Sequence, residues 1–186
     1  MVASRQPSQG DAVQHIRPGM RLPHVRLPAT DGSEICLAEL QGRSILIVYP
    51  WTGRPGLPNP PDWDLIQGAH GSTPELEGFR DCAEDFAREC VWLYAISRQT
   101  TDYQREMAAR LKLPFPILSD AEGQFAAALG LPCFATGGET YLTRLTLPID
   151  SGRIETLFYP VPEPATHADD VLSWLKADKA PADPLA

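Results

Sequence analysis

Residues 44–49 read Ser-Ile-Leu-Ile-Val-Tyr, a run with no charge and mostly β-branched or aliphatic side chains. A strand that faces water on one side alternates polar with apolar; this one does not, so it is covered on both faces. A second run of the same kind, VWLYAIS, occupies residues 91–97. Between the two, Leu76, Phe79, Ala83, Phe86 and Cys90 recur at spacings of three and four. That period predicts a helix with one apolar face, and places Cys90 in the core.

Further downstream, residues 101–111 read as a helix, 115–118 as a short strand and 122–129 as another helix. Residues 141–149 and 153–160 alternate around Asp150-Ser151-Gly152, the pattern of a hairpin, and 166–176 close the chain as an amphipathic helix. Upstream, LPHVRLPATDGSEICLAEL (residues 22–40) predicts a hairpin turning at Asp31-Gly32. Strands and helices in this order imply an α/β three-layer sandwich, a mixed central sheet flanked by helices. The domain spans residues 19–176, between a polar tail of residues 1–18 and a Pro-rich tail of 177–186, both expected to be flexible.

The 186 residues carry 16 Lys and Arg against 24 Asp and Glu, a net charge of -8, with 43% hydrophobic residues. Such a chain repels nucleic-acid phosphates and anionic lipid. No apolar run approaches the roughly 18 residues that a membrane span needs. The first residues contain no apolar stretch that would serve a signal peptide, so a cytoplasmic location is expected. Cys36, Cys82, Cys90 and Cys133 form no C-x-x-C pair and no finger spacing with His15, His24, His70 or His167, and neither metal nor cofactor is expected. Cys82 lies beside Asp81 and Glu84, which raise a thiol pKa. Eight residues of helix, about 12 Å, keep it from pairing with Cys90. Cys133, in the turn after Leu131-Pro132, is expected to be the exposed thiol. Cys82 and Cys133 are therefore the two candidates for redox use.

Residues 52–71, TGRPGLPNPPDWDLIQGAHG, hold four prolines and four glycines and form a long loop. Arg54 and His70 bracket it and are candidates for positive potential near the following helix. Ser72-Thr73-Pro74-Glu75 then reads as a helix start, with Ser72 as the cap and Glu75 reaching back to it. Arg144 shares one face of a strand-like stretch with Leu142 and Thr146, either solvated or holding a partner.

Several of these pieces occur together in one known family. They are Tyr49-Pro50 at a strand end, Gly71-Ser72-Thr73-Pro74 followed by Phe79-Arg80-Asp81, and Ala95-Ile96-Ser97. Residues 113–120 (LPFPILSD) and Arg144 before Leu145-Thr146-Leu147 complete the set. From about Gly19 to Leu175 the chain resembles the peroxiredoxins, and among them the Q-type, or bacterioferritin-comigratory, subfamily. The resemblance implies a thioredoxin-like fold of peroxiredoxin type with an N-terminal hairpin. It also implies a thiol peroxidase that reduces hydrogen peroxide or organic hydroperoxides in antioxidant defence without a cofactor. A thioredoxin-like or glutathione-type reductant and a monomer or homodimer belong to the same expectation.

In that family a cysteine in the first helical turn is the nucleophile; its place here is held by Ser72. The resemblance implies Arg144 and Thr52 as its companions, and Pro50, Gly71 and Thr73 as the lining of the peroxide site. The threonine expected three residues before position 72 is Ala69, and the resolving cysteine five residues after it is Glu77. A hydroxyl neither ionises near neutral pH nor climbs the oxidation ladder of a thiol. Two readings follow: a peroxidase scaffold silenced at position 72, or a peroxidase-dead binding or regulatory protein that keeps the pocket for a small anion. Three departures together fit divergence better than a single replaced cysteine.

Overall fold

In β3 (Arg43–Val48) Ile45 and Ile47 point to one side of the sheet and Leu46 and Val48 to the other, and all four are buried. This double burial is why the run carries no polar alternation, and it makes β3 the middle of the sheet. In the computed structural model, which describes residues 11–178, the order across the sheet is β5-β4-β3-β8-β9. β4 (Trp92–Ser97) and β5 (Ile117–Ser119) run parallel to β3. β8 (Leu145–Asp150) runs antiparallel to β3, and β9 (Arg153–Ile154) antiparallel to β8.

One face of the sheet is covered by α1 (Ser72–Asp81), α2 (Ala83–Arg88), α3 (Thr101–Leu111) and α5 (His167–Asp178). Leu76, Phe79, Phe86, Met107 and Val171 pack there on Ile45, Ile47 and Ala95. On the opposite face Leu46, Val48 and Leu147 meet α4 (Gln124–Leu129) through Phe125 and Leu129. The hairpin of β1 (Arg26–Pro28) and β2 (Glu34–Cys36) adds Leu27 and Cys36 to that side. The result is the thioredoxin-like sandwich with a mixed sheet and a small N-terminal hairpin. Among the described residues no helix is long and apolar enough to cross a membrane.

Four expectations need correction. The helix after residue 72 is broken at Cys82, which ends α1 and precedes α2. Past Arg88 the chain reverses into β4, and Cys90 adopts φ 59 in that reversal. Its side chain thereby leaves the apolar face, so Cys90 is exposed and not a core residue. The stretch 141–149 is not one strand either: Tyr141 and Leu142 belong to β7 (Glu139–Leu142), paired with β6 (Cys133–Thr136) in a separate hairpin. Thr143 and Arg144 lie between β7 and β8, outside both strands. The described part of the expected N-terminal tail is also packed. Asp11–Val13 form a 3-10 turn, Val13 and Ile16 join the core, and His15 Nε2 lies 3.2 Å from the Leu129 carbonyl. Residues 1–10 and 179–186 lie outside the described residues.

Candidate functional site

The long loop before α1 is fastened by Trp63, which is 3% exposed. Its ring sits 5.4 Å from Trp51, 5.6 Å from Phe134 and 5.0 Å from Tyr141, so the β6–β7 hairpin and the loop close on one aromatic cluster. His70, at the loop's end, faces the same ring and pairs with Asp64 at 2.7 Å. Arg54 is turned elsewhere, to Glu106 and the face of Tyr103 on α3, and adds nothing here.

Gly71 follows at φ 100 and caps α1 with its backbone. A Cβ at this position would lie 2.7 Å from Pro164 Cγ in the segment that leads into α5. Left-handed geometry and this contact together demand glycine. Gly71→Ala is expected to lower stability by about 1–3 kcal/mol, checked by the urea midpoint.

Because Gly71 is the cap, Ser72 is the first residue of the helix and its side chain makes no capping bond. The expected capping box of Ser72 and Glu75 is absent. Both side chains turn inward to Arg144, which is 3% exposed. Arg144 Nη1 forms an ion pair with Glu75 Oε2, and Nη2 donates to Ser72 Oγ at 3.0 Å and to the His70 carbonyl at 2.9 Å. The guanidinium therefore has a partner and is not a solvated strand residue. Arg144 Nε and Glu75 Oε1 have no hydrogen-bond partner among the described residues. A small cleft of about 150 Å³ opens beside Arg144, lined by Gly68, Thr143 and residues 159–162.

Burial dominates the electrostatics. Glu75 is pushed up to about 7 by desolvation, against the pull of Arg144. His167, at the start of α5, is pushed down to about 4, chiefly by desolvation and further by Arg144, while Asp170 opposes. Its ring is held between Phe79 and Phe158, and Nε2 lies 3.0 Å from Thr146 Oγ1. The arrangement offers a guanidinium and the N-terminal turn of a helix to a small oxygen-rich ligand, with Ser72 Oγ between them.

The remaining expected site residues are dispersed. Thr52 is buried, but its N–H and hydroxyl both donate to Gln99 Oε1 at 3.1 Å. Among the described residues, Thr52 hydrogen-bonds to Gln99 and not to Ser72 or Arg144. Pro50 lines a separate cleft with Trp51, Gln99 and Tyr103. Thr73 is the second residue of α1 and half-buried. Cys82 points its sulfur at Asp169 Oδ1, 3.7 Å away, and its pKa is raised by desolvation first and then by Asp169, Asp85 and Asp81. Cys133 is exposed on β6; desolvation raises its pKa as well, and Arg98 offsets this only in part.

Glu75, marked in the sequence only as a helix-start residue, also belongs to the site, as do His167 and the carbonyls of Gly68 and His70. Glu75 carried a usable signal: three residues after Ser72, it shares that residue's helix face. His167 had a weaker one, lying four residues before the apolar Val171.

Comparison with known proteins identifies the family and the fold. The Redoxin family model matches residues 17–172. Peroxiredoxin Bcp of Escherichia coli K12 is 28% identical over 168 residues, 87% of this chain and 96% of that protein. The crystal structure of peroxidoxin BcpB from Mycobacterium tuberculosis superposes with a TM-score of 0.71 at 26% identity, covering 89% of this chain and 100% of the other. A structure of the bacterioferritin comigratory protein of Xanthomonas campestris gives 0.69 at 22% identity over 87% and 99%, a likeness of fold alone.

Proposed function

Since the chain belongs to the Redoxin family, as a peroxiredoxin of the Bcp and Q type, we propose that its working site is the N-terminus of α1 and that Ser72 stands where the family carries its nucleophilic cysteine. The site is a peroxidase scaffold that takes a peroxide and is silent through residue 72. The observation that supports this most is the 3.0 Å bond from Arg144 Nη2 to Ser72 Oγ. It is the contact that would hold a sulfur at this position as thiolate. A thiolate here would attack one peroxide oxygen and become a sulfenic acid as the O–O bond breaks, the other oxygen leaving as hydroxide or alkoxide that takes a proton from water; a thiol reductant then recovers the thiol. Ser72 occupies the position beside Arg144, but its hydroxyl neither ionises near neutral pH nor has a thiol's oxidised states.

Two observations favour a binding role as the second reading. Thr52 is engaged by Gln99, so the hydroxyl that would help orient a peroxide is missing from the first turn. Both candidate thiols outside the site, Cys82 and Cys133, are shifted away from thiolate, which argues against redox chemistry through them.

The test is hydrogen peroxide consumption with a dithiol reductant, run on this chain, on Ser72→Cys and on Ser72→Ala. The expected result is turnover by Ser72→Cys alone. Equal turnover by the unaltered chain and by Ser72→Ala would overturn the assignment of position 72. Silence in all three would leave anion binding as the role of the pocket.

A further inference from the structure

Away from the Arg144 pocket, the N-terminal hairpin brings three ligand types to one point. His24 precedes β1, Cys36 ends β2, and Glu39 closes the 3-10 turn Leu37–Glu39. Their donor atoms all lie within 4.8 Å of one another. We propose that His24 Nδ1, Cys36 Sγ and Glu39 Oε1 form a three-ligand site for a zinc-class divalent cation, with the fourth tetrahedral position open to water.

The geometry and the donor chemistry both support this. Tetrahedral zinc with ordinary N, S and O bond lengths sets its ligands roughly 3.3–3.6 Å apart. His24 Nδ1 and Glu39 Oε1 are already 3.8 Å apart. The imidazole and carboxylate are both largely exposed and can close the remaining distance by rotamer adjustment. Cys36 is buried beneath them, 6% exposed, so its sulfur forms the floor of the site. Arg26, opposite Cys36 in the hairpin register, donates from Nη2 to Glu39 Oε2 at 3.2 Å. That bond orients the carboxylate and leaves Oε1 toward His24, the work an outer-shell partner does in metal sites. Thiolate and carboxylate together neutralise a dication, and binding releases the thiol proton. A neutral imidazole with a thiolate and one carboxylate selects zinc or cobalt over magnesium or calcium, which need an all-oxygen shell. The set is absent from finger-type spacing because its third member, in Cys36-Leu37-Ala38-Glu39, is a carboxylate where C-x-x-C has a second sulfur.

The experiment is a cobalt(II) titration of the full, reduced, metal-free chain, followed by displacement with zinc(II). The expected result is stoichiometric binding with a tetrahedral visible spectrum and a thiolate-to-cobalt charge-transfer band. The band persists in the Cys82→Ser, Cys90→Ser, Cys133→Ser triple variant, which leaves Cys36 as the sole thiol. His24→Ala and Glu39→Gln, both at exposed positions that folding tolerates, each weaken cobalt binding by at least about tenfold, the loss that even an outer-shell partner causes. Absence of the band in the triple variant overturns the proposal, and so does unchanged affinity in both His24→Ala and Glu39→Gln.

Discussion

Arg144→Leu is expected to cost about 3–5 kcal/mol of folding stability above pH 7.5, the loss typical of breaking a buried ion pair from one side. The residue is only 3% exposed, so water has little access to replace what it donates. Removing it strips Glu75 of its one ion-pair partner among the described residues and leaves the carbonyl of His70 and the hydroxyl of Ser72 without their donor. Glu75 responds by holding its proton more tightly, so the penalty shrinks as the pH falls. A Glu75→Leu, Arg144→Leu double variant removes both charges and fills the space with apolar groups, and it should recover most of the loss. Chemical denaturation of the three proteins at pH 8 and pH 5.5 checks this. A cost below about 1 kcal/mol for Arg144→Leu at pH 8 would mean that the pair does not hold the site together.

The second large effect is on acid stability and centres on His167. Its folded pKa of about 4 lies below the ordinary histidine value of 6.5. The unfolded chain therefore takes up this proton first as the pH falls. The neutral ring contributes stability that is complete above pH 6.5 and lost as the pH drops toward 4, about 3 kcal/mol in all. Glu75 works in the opposite sense. Its folded pKa of about 7 lies above the unfolded value of 4.5, so its contribution is complete below pH 4.5 and lost as the pH rises through 7. Between pH 4.5 and 6.5 the two slopes nearly cancel. His167→Gln keeps a polar group for Thr146 and removes one of the slopes. Relative to the unaltered protein it should gain about 3 kcal/mol between pH 7 and pH 4, read from urea midpoints across that range. Parallel pH profiles for the two proteins would sink the idea.

How much of this was readable from the chain depends on how local the cause is. The run at residues 44–49 names its own environment, because only a doubly buried strand is apolar on both faces, and the helix at 101–111 follows from its own period. Ser72 and Glu75 show the limit. A serine followed three residues later by a glutamate is the pattern of a capping box, and the same two residues at the same spacing also suit a buried carboxylate and a hydroxyl facing one guanidinium. What decides between them is Arg144, 72 residues away in sequence from Ser72, together with Gly71, whose left-handed backbone takes over the cap. Thr52 is a similar case: its hydroxyl was free to go to the helix until Gln99 claimed it. The β6–β7 hairpin did have a local mark, Gly137-Gly138 between two short runs, but β6 alternates only between exposed and half-buried positions and its residues, Cys-Phe-Ala-Thr, show no polar–apolar contrast. Cys90 kept the helical spacing by accident, two residues past the point where the helix had stopped.

The contact between Gly71 and Pro164 also bears on how the chain assembles as it is synthesised. With about 140 residues made, the polypeptide already holds β3, β4 and β5, the parallel half of the sheet, and the helices between them. It holds neither Arg144 nor the strand that pairs with the open edge of β3, nor the proline that fixes the first turn of α1. Contacts of such long sequence separation form late, because loop closure must be met before they contribute. The pocket therefore forms late, and a ribosome-bound chain carries Ser72 through 72 further residues before Arg144 exists for it to face.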